Sequence, residues 1–394
     1  MKLPMPRLTL LVFAFAVLMN CGNIVLAQSE TNPETVFSTP AKYLVIVDGE
    51  NGEILFEKNA RIAMPPASMT KIMTASVVFE RIKSGALSMD TEFTVSTNAW
   101  RKGGAKSGSS TMFLKPKEKV SVRNLLHGVI IQSGNDACIV LAEGISGSED
   151  AFADLMNEKA KALGLKSAHF VNSTGWPAEG HVISAYDLAK LALNTIKNYP
   201  EYYDIYGQKS FTWNGIKQPN RNPLIMAGVS GVDGMKTGHT KISKYGFIGS
   251  AKIDGKRRLF VVNGLESKAQ RRSESMRIMR SAFGEFKVYH LYKNGDKVGS
   301  APVFMGKTET VSLVTKKDVN LGMHKSQRGK LTAEVNYLGP IPAPIEAGAQ
   351  IASLNISVAG KVIKTIPLYA EEAAARKSIF GRALASLVRK IRGQ

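Results

Sequence analysis

The chain is poor in cysteine and in acid, and it has no long apolar run beyond its first residues. Two cysteines in 394 residues, Cys21 and Cys138, exclude a disulfide-stapled miniprotein, so stability has to come from burial. Acid is scarce against base: 32 Asp and Glu face 52 Lys and Arg, a net charge of +20. Such a balance points to an anionic partner, whether nucleic acid, membrane or an acidic polymer. The six histidines, at 127, 169, 181, 239, 290 and 324, show no metal-ligand spacing, and no His-Glu-x-x-His occurs. A zinc peptidase is therefore disfavoured and no metal is implied. Neither internal repeats nor low-complexity tracts are present. What is present is apolar content: 44% hydrophobic and 21% charged residues suffice for two cores and are too apolar for a disordered chain.

Residues 1–27 read as an export signal. Lys2 and Arg7 precede an apolar run over residues 8–19, and Val25, Leu26 and Ala27 offer small residues at a cleavage site. A membrane-spanning helix needs about 20 apolar residues, and Asn20, Gly22 and Asn23 interrupt this one too early. Asn20 before Cys21 fits a lipidation site poorly. Export removes nucleic acid from the list of anionic partners. Once the signal is removed only Cys138 remains, and its neighbours Ala137, Ile139 and Val140 make it a buried small residue rather than a catalytic thiolate.

Residues 28–40 are polar with two prolines, a flexible lead-in. Apolar runs at 43–47 and 54–56 flank Asp48-Gly49-Glu50-Asn51-Gly52, a strand, turn, strand signal. After Pro65-Pro66, a stretch with Met69, Ile72, Met73, Ser76 and Phe79 has helical spacing and is apolar nearly all round, the pattern of a buried central helix. Further helices are expected after Ser121 and up to Gly164. Strands return at 245–251 and 259–264 around Asp254-Gly255, a strong hairpin signal. Strands, helices, then strands again suit an α+β domain over residues 41–285, in which both chain ends pair into one antiparallel sheet covered by helices. Beyond it, strand-like runs at 311–314, 331–337, 351–358 and 362–368 indicate a small all-β domain over residues 286–370.

Residues 371–394 are expected to form an amphipathic membrane-anchoring helix. Ile379, Phe380, Ala383, Leu384, Leu387, Val388 and Ile391 make one stripe, and six Lys/Arg with no acid occupy the remainder of 376–392. Each cation near an anionic leaflet adds about 1 kcal/mol to such binding. The competing reading is a helix docked on its own domain.

Three short motifs carry chemistry. In Ser68-Met69-Thr70-Lys71 a hydroxyl and an amine three residues apart share a helix face near the helix start, a nucleophile beside a base. The amine must be neutral to accept a proton, which requires burial or a neighbouring cation. Ser133-Gly134-Asn135 falls at a break between two helices, where a hydroxyl and a carboxamide on a loop can relay a proton and grip a peptide carbonyl. Lys236-Thr237-Gly238 opens the late strands, where lysine supplies a cation for a carboxylate and a strand edge lets a substrate backbone lie alongside. Each motif alone recurs by chance; their order and placement together suit one cleft.

With these motifs, Asn172-Ser173-Thr174-Gly175, a β-rich second domain and an amphipathic tail, the sequence resembles the D-alanyl-D-alanine carboxypeptidases among the low-molecular-mass penicillin-binding proteins. The resemblance implies a DD-peptidase/β-lactamase-like fold and no cofactor. It implies that Ser68 attacks the bond between the terminal D-alanines of a peptidoglycan stem peptide, with Lys71 as general base, and that β-lactams acylate the same serine. Ser133 would pass the proton to the leaving D-alanine, and Asn135 would orient Lys71 and bind the substrate amide. Lys236 would attract the terminal carboxylate and help keep Lys71 neutral by repulsion. Thr237 and Gly238 would line the cleft, and the backbone N–H groups of Ser68 and His239 would form the oxyanion hole. Arg271 or Arg272 resembles a family segment near the cleft, with exposed helix charge as the other reading. Such an enzyme would work at the periplasmic face of the cytoplasmic membrane, held to its anionic surface by the C-terminal helix.

Two alternatives compete. A β-lactamase needs rapid deacylation, for which class A enzymes position a glutamate near a water; Glu179, in residues 177–180, lacks the neighbours of such a loop. A catalytically silent wall-binding or shape-maintaining protein would use the β-rich domain to recruit partners, yet all three motifs are intact.

Overall fold

The computed structural model describes residues 36–381. The proposed signal, most of the lead-in and the greater part of the C-terminal helix lie outside the described residues.

The early hairpin forms as the sequence indicates, β1 (Tyr43–Asp48) and β2 (Ile54–Lys58). A 3-10 turn at Ala67–Thr70 leads into α1 (Lys71–Lys83), every residue of which is buried through Phe79. The helical middle continues with α2 (Val122–His127), α3 (Asn135–Ser146), α4 (Glu149–Ala162) and α5 (Ala185–Asn198). Ser121, Ser148 and Ser184 cap three of these helices, each side chain accepting a backbone N–H three residues on.

Three strands close the sheet: β3 (Val232–Thr240), β4 (Lys244–Ile253) and β5 (Lys256–Leu265). The order is β2-β1-β5-β4-β3, so the first strand pairs with the last and β3 lies at the edge. Asp254 and Gly255, at φ +49° and +75°, make the β4–β5 hairpin with the positive-φ pair that matches strand twist. Val45 faces Val261 and Ile46 faces Phe260, and alternate residues go to opposite faces. Val45, Val47, Ile248 and Val261 join the core of α1 to α5, whereas Leu44, Ile46, Phe247 and Phe260 pack against α6 (Lys268–Gly284) through Ile278, Met279 and Ala282. The sheet is thus covered on both faces.

The second domain contains more strands than the sequence runs indicate. β6 (Phe286–Tyr292), β7 (Lys297–Phe304) and β9 (Val319–His324) join β8 (Thr310–Val314), β10 (Leu331–Asn336), β11 (Gln350–Val358) and β12 (Lys361–Ala370). β6 pairs with β9, and the larger sheet runs β10-β11-β12-β8-β7 with a short strand at Ile341–Pro342. Its core is Leu313, Val319, Leu354, Ile356 and Leu368. The missed strands interleave lysine, glycine and histidine with apolar residues, which dilutes their runs.

One expectation is corrected at the C-terminus. Helix was expected from Glu371, but the chain stays extended, with Ala374 bridging Ile345 and Arg376 bridging Gly306, and the first helical residue is Ile379. The reason is burial: Ala374 is 1% exposed in the second core and exchanges backbone hydrogen bonds with Ile345.

The domains meet at the early hairpin. Lys364 donates to both carboxylate oxygens of Glu53 (2.9 and 3.0 Å) and to the Asn320 carbonyl (2.7 Å). Gly322 lies so close to β2 that an added Cβ would stand 2.2 Å from the Ile54 carbonyl oxygen.

Candidate active site

The turn before α1 presents the first motif. Ala67 is held at φ +49°, a strained position for a residue with a side chain, and the 3-10 geometry eclipses positions three apart. Ser68 Oγ therefore accepts a hydrogen bond from Lys71 Nζ at 3.1 Å. The ammonium donates also to Asn135 Oδ1 (2.7 Å) and to the Thr174 carbonyl (2.5 Å), and the side chain is 1% exposed. Burial pushes its pKa down to about 8, the charge on Arg221 acting in the same direction.

Segment 172–176 clamps the same helix face. Asn172 Oδ1 accepts backbone N–H bonds from Thr174 (3.2 Å), Gly175 (2.8 Å) and Trp176 (3.2 Å). Thr74 Oγ1 donates to the Ser173 carbonyl at 2.6 Å. Gly175, at φ +79°, abuts the Ser68 turn, and a Cβ there would lie 1.9 Å from the Ala67 carbonyl oxygen. His181 ties the turn from the other side. Its Nδ1 accepts the Val171 N–H (3.0 Å), so Nε2 carries the proton and donates to Thr70 Oγ1 at 2.9 Å. Burial lowers the His181 pKa to about 4 and keeps the ring neutral.

The second motif follows α2 through a π-helical turn, Gly128–Gln132, which ends with Ser133 in the left-handed region at φ +62°. Asp136 fixes this loop: its buried carboxylate accepts from Thr111 Oγ1 (2.6 Å), Met112 N (2.8 Å) and Leu114 N (3.1 Å). Burial outweighs those donors and raises its pKa.

The third motif lies on the edge strand β3. Lys236 Nζ donates to Ser133 Oγ at 2.8 Å and, more weakly, to the Thr237 carbonyl at 3.3 Å. Burial holds Lys236 well below the usual lysine range, and repulsion from Lys71 and Arg221 adds to it. Thr237 is buried, and Gly238 packs on the turn before α1, where a Cβ would stand 2.8 Å from the Pro66 carbonyl oxygen. His239 is exposed, its ring stacked on Tyr245 at 3.9 Å. Arg271 is the buried member of its pair: Nη1 donates to the Gly238 carbonyl at 3.2 Å and the guanidinium covers the Tyr245 ring, while Arg272 is exposed. Cys138 is fully buried and its pKa is pushed up to about 12, so it offers no thiolate.

The structure therefore brings Ser68, Lys71 and Asn135 into one hydrogen-bonded group and Ser133 and Lys236 into a second, coupled to the first through the charges of the two lysines. Sequence reasoning missed three contributors: the Thr174 carbonyl, His181 and Asp136. Asn172, an Asx-turn residue ahead of glycine, was the signal for the first. Among the described residues no group of three His, Cys, Asp or Glu is placed to hold a metal ion. A buried amine of lowered pKa against a half-exposed hydroxyl can generate an alkoxide nucleophile, and a second lysine–serine pair can return a proton to a leaving group.

Comparison with known proteins agrees with this chemistry. The profile described as D-alanyl-D-alanine carboxypeptidase matches residues 27–267, and that of the penicillin-binding protein 5 C-terminal domain matches residues 286–376. The chain is 36% identical to D-alanyl-D-alanine carboxypeptidase DacA of Escherichia coli (strain K12) over 87% of this chain and 85% of that one. The crystal structure of D-alanyl-D-alanine carboxypeptidase DacD from Francisella tularensis superposes with a TM-score of 0.76 at 32% identity, covering 86% of this chain and 95% of that one. Penicillin-binding protein D2 from Listeria monocytogenes, in its ampicillin-bound form, matches with a TM-score of 0.54 at 30% identity over 63% of this chain and 98% of its own.

Proposed function

The chain belongs to the D-alanyl-D-alanine carboxypeptidase family, and on that premise we propose that Ser68 is the nucleophile by which it removes the terminal D-alanine from peptidoglycan stem peptides. It is a serine-type D-alanyl-D-alanine carboxypeptidase and a penicillin-binding protein. The observation that carries the residue assignment is the bond from Lys71 Nζ to Ser68 Oγ, made by a buried amine whose pKa is about 8.

In the proposed course, neutral Lys71 takes the Ser68 proton as Oγ adds to the carbonyl carbon between the two D-alanines. Asn135, on Lys71, aims the amine and meets the substrate amide. The peptide bond then breaks, and its nitrogen receives the proton that Lys71 took from Ser68, relayed by the Ser133 hydroxyl, which leaves Lys71 neutral again; Ser133 is held for this by its hydrogen bond from Lys236. The substrate's terminal carboxylate draws Lys236 toward its protonated form, since an opposite charge raises a lysine pKa. Thr237 and Gly238 line the cleft on the edge strand, whose outward N–H groups have no strand partner. The N–H groups of Ser68 and His239 are proposed for the oxyanion. Water then hydrolyses the Ser68 ester, with Lys71 again the base.

Lys71 has no carboxylate among its three hydrogen-bond partners, which argues against a glutamate-assisted β-lactamase. A cell-wall substrate also fits export, and we propose attachment at the membrane surface through residues 376–392. Among the described residues no helix is long and apolar enough to cross a membrane.

The test uses residues 28–381 and the same chain with Ser68→Ala, each mixed with penicillin and followed by intact mass, then assayed for D-alanine release from a pentapeptide. A slowly decaying adduct and D-alanine release, both absent from Ser68→Ala, are the expected results. An adduct surviving in the variant would sink the assignment of Ser68.

A further inference from the structure

Ser173 and Thr174 each turn a carbonyl onto α1. The first accepts from Thr74 Oγ1 at 2.6 Å and the second from Lys71 Nζ at 2.5 Å. Thr74 and Lys71 are three residues apart and share a helix face, so two successive carbonyls grip one side of α1. What holds them there comes from a different helix. Glu149, the first residue of α4, accepts both the backbone N–H and the hydroxyl of Ser173 on Oε1, at 3.2 and 2.7 Å. Ser173 is fully buried, and Glu149 is half-buried behind it. The partners of Lys71 are Ser68, Asn135 and Thr174, so Glu149 stands one residue removed from the amine.

The charges around Lys71 single this carboxylate out. Arg221 and Lys236 repel the ammonium, and His181 is kept neutral by burial. Cys138 in α3, its pKa pushed up to about 12, stays a thiol and contributes no charge. The acids facing Lys71 are then Asp136 in α3 and Glu149 in α4. Asp136 is turned to Thr111, Met112 and Leu114 of its own loop. A neutral acceptor would satisfy Ser173 equally well, so the charge on Glu149 is surplus to that contact. We propose that Glu149 is a positioning residue for Lys71, acting through Ser173: it fixes the Thr174 carbonyl on the amine and sets a negative charge behind the base. The proposal rests on the reading of Lys71 as general base and deepens it by naming what steadies that base. A carboxylate there favours the ammonium form, opposing burial and Arg221. It also suits the first turn of α4, a helix-stabilising effect that leaves the titration of Lys71 untouched.

The experiment follows acylation by penicillin from about pH 6 to 9 for the mature chain, residues 28–394, and for Glu149→Gln and Glu149→Ala. Beside it, an isotope-labelled lysine ε-carbon is titrated by NMR, the Lys71 signal being the one that Lys71→Met removes. Glu149→Gln keeps the acceptor for Ser173 and loses the charge. The acylation inflection and the Lys71 titration both move down by about half to one pH unit. Well below the inflection, acylation then rises about two- to threefold, because a larger neutral fraction outweighs a weaker base. Glu149→Ala also frees Ser173, and acylation falls about tenfold or more at every pH, a loss that glutamine at the same position avoids. A Lys71 titration left in place by Glu149→Gln overturns the proposal whatever the acylation profile does, and so does Glu149→Ala acylating like the parent. Where Glu149→Ala fails to fold, the glutamine variant decides alone. A Lys71 titration that moves while the acylation inflection stays supports Glu149 and overturns Lys71 as the base.

Discussion

The two domains bury different things. The first encloses Lys71, Ser133, Asn135, Asp136, His181, Lys236 and Arg271 inside its core, whereas among the described residues of the second Thr315 is the single buried polar side chain. Burying amines is costly unless they are bonded, and each shifted pKa in the cleft records that cost. The second domain is held by apolar interleaving of β8, β9, β11 and β12 and stores nothing of the kind. One region is built to react and the other to stay put.

The contrast can be broken most severely at Lys71. Lys71→Met removes the proposed base while keeping the volume, and acylation by penicillin, followed by stopped-flow or mass, should slow about 10²- to 10⁴-fold. Unfolding free energy should move by less than about 2 kcal/mol, because removing a buried amine offsets the acceptors left on Asn135 and Thr174. The converse is Leu354→Ala, where a side chain 1% exposed is lost from the second core. Denaturant unfolding should report about 2–5 kcal/mol of lost stability, with the acylation rate unchanged. The smallest effect sharpens the contrast through pH. With Lys71 at about 8, the neutral fraction, and with it the acylation rate, should fall about tenfold per pH unit below that value and level off above it. The second domain, with no ionisable side chain in its core among the described residues, should unfold alike from pH 6 to 8.

Much of this was legible beforehand, because it depends on side-chain type at fixed spacing. Ser68 and Lys71 sit three apart, Asp254-Gly255 names its own turn, and the apolar runs of β4 and β5 alternate into both cores. What stayed hidden depends on backbone or on distant neighbours. The Thr174 carbonyl that binds Lys71 belongs to no residue type, and nothing in the sequence between Gly128 and Gln132 announces a π turn. Whether Arg271 or Arg272 faces the cleft is a matter of helix phase against β3 and β4. The extended run through Ala374 was included in the helix only because it precedes the amphipathic stripe that starts at Ile379, while the pairing with Ile345 that holds it extended is set by tertiary packing.

The pairing of β1 with β5 has a consequence for the order in which the molecule is made. Residue 43 bonds to residue 263, and the edge strand carrying Lys236 has no sheet to join until β4 and β5 exist. At about 5–20 residues per second the ribosome needs roughly 10–40 s to span that interval. For most of it Ser68 and Lys71 have been synthesised, yet the platform that holds Lys236 has not. The reactive pair therefore matures late, and the nascent chain carries an unassembled cleft: high contact order acts here as a timer on reactivity.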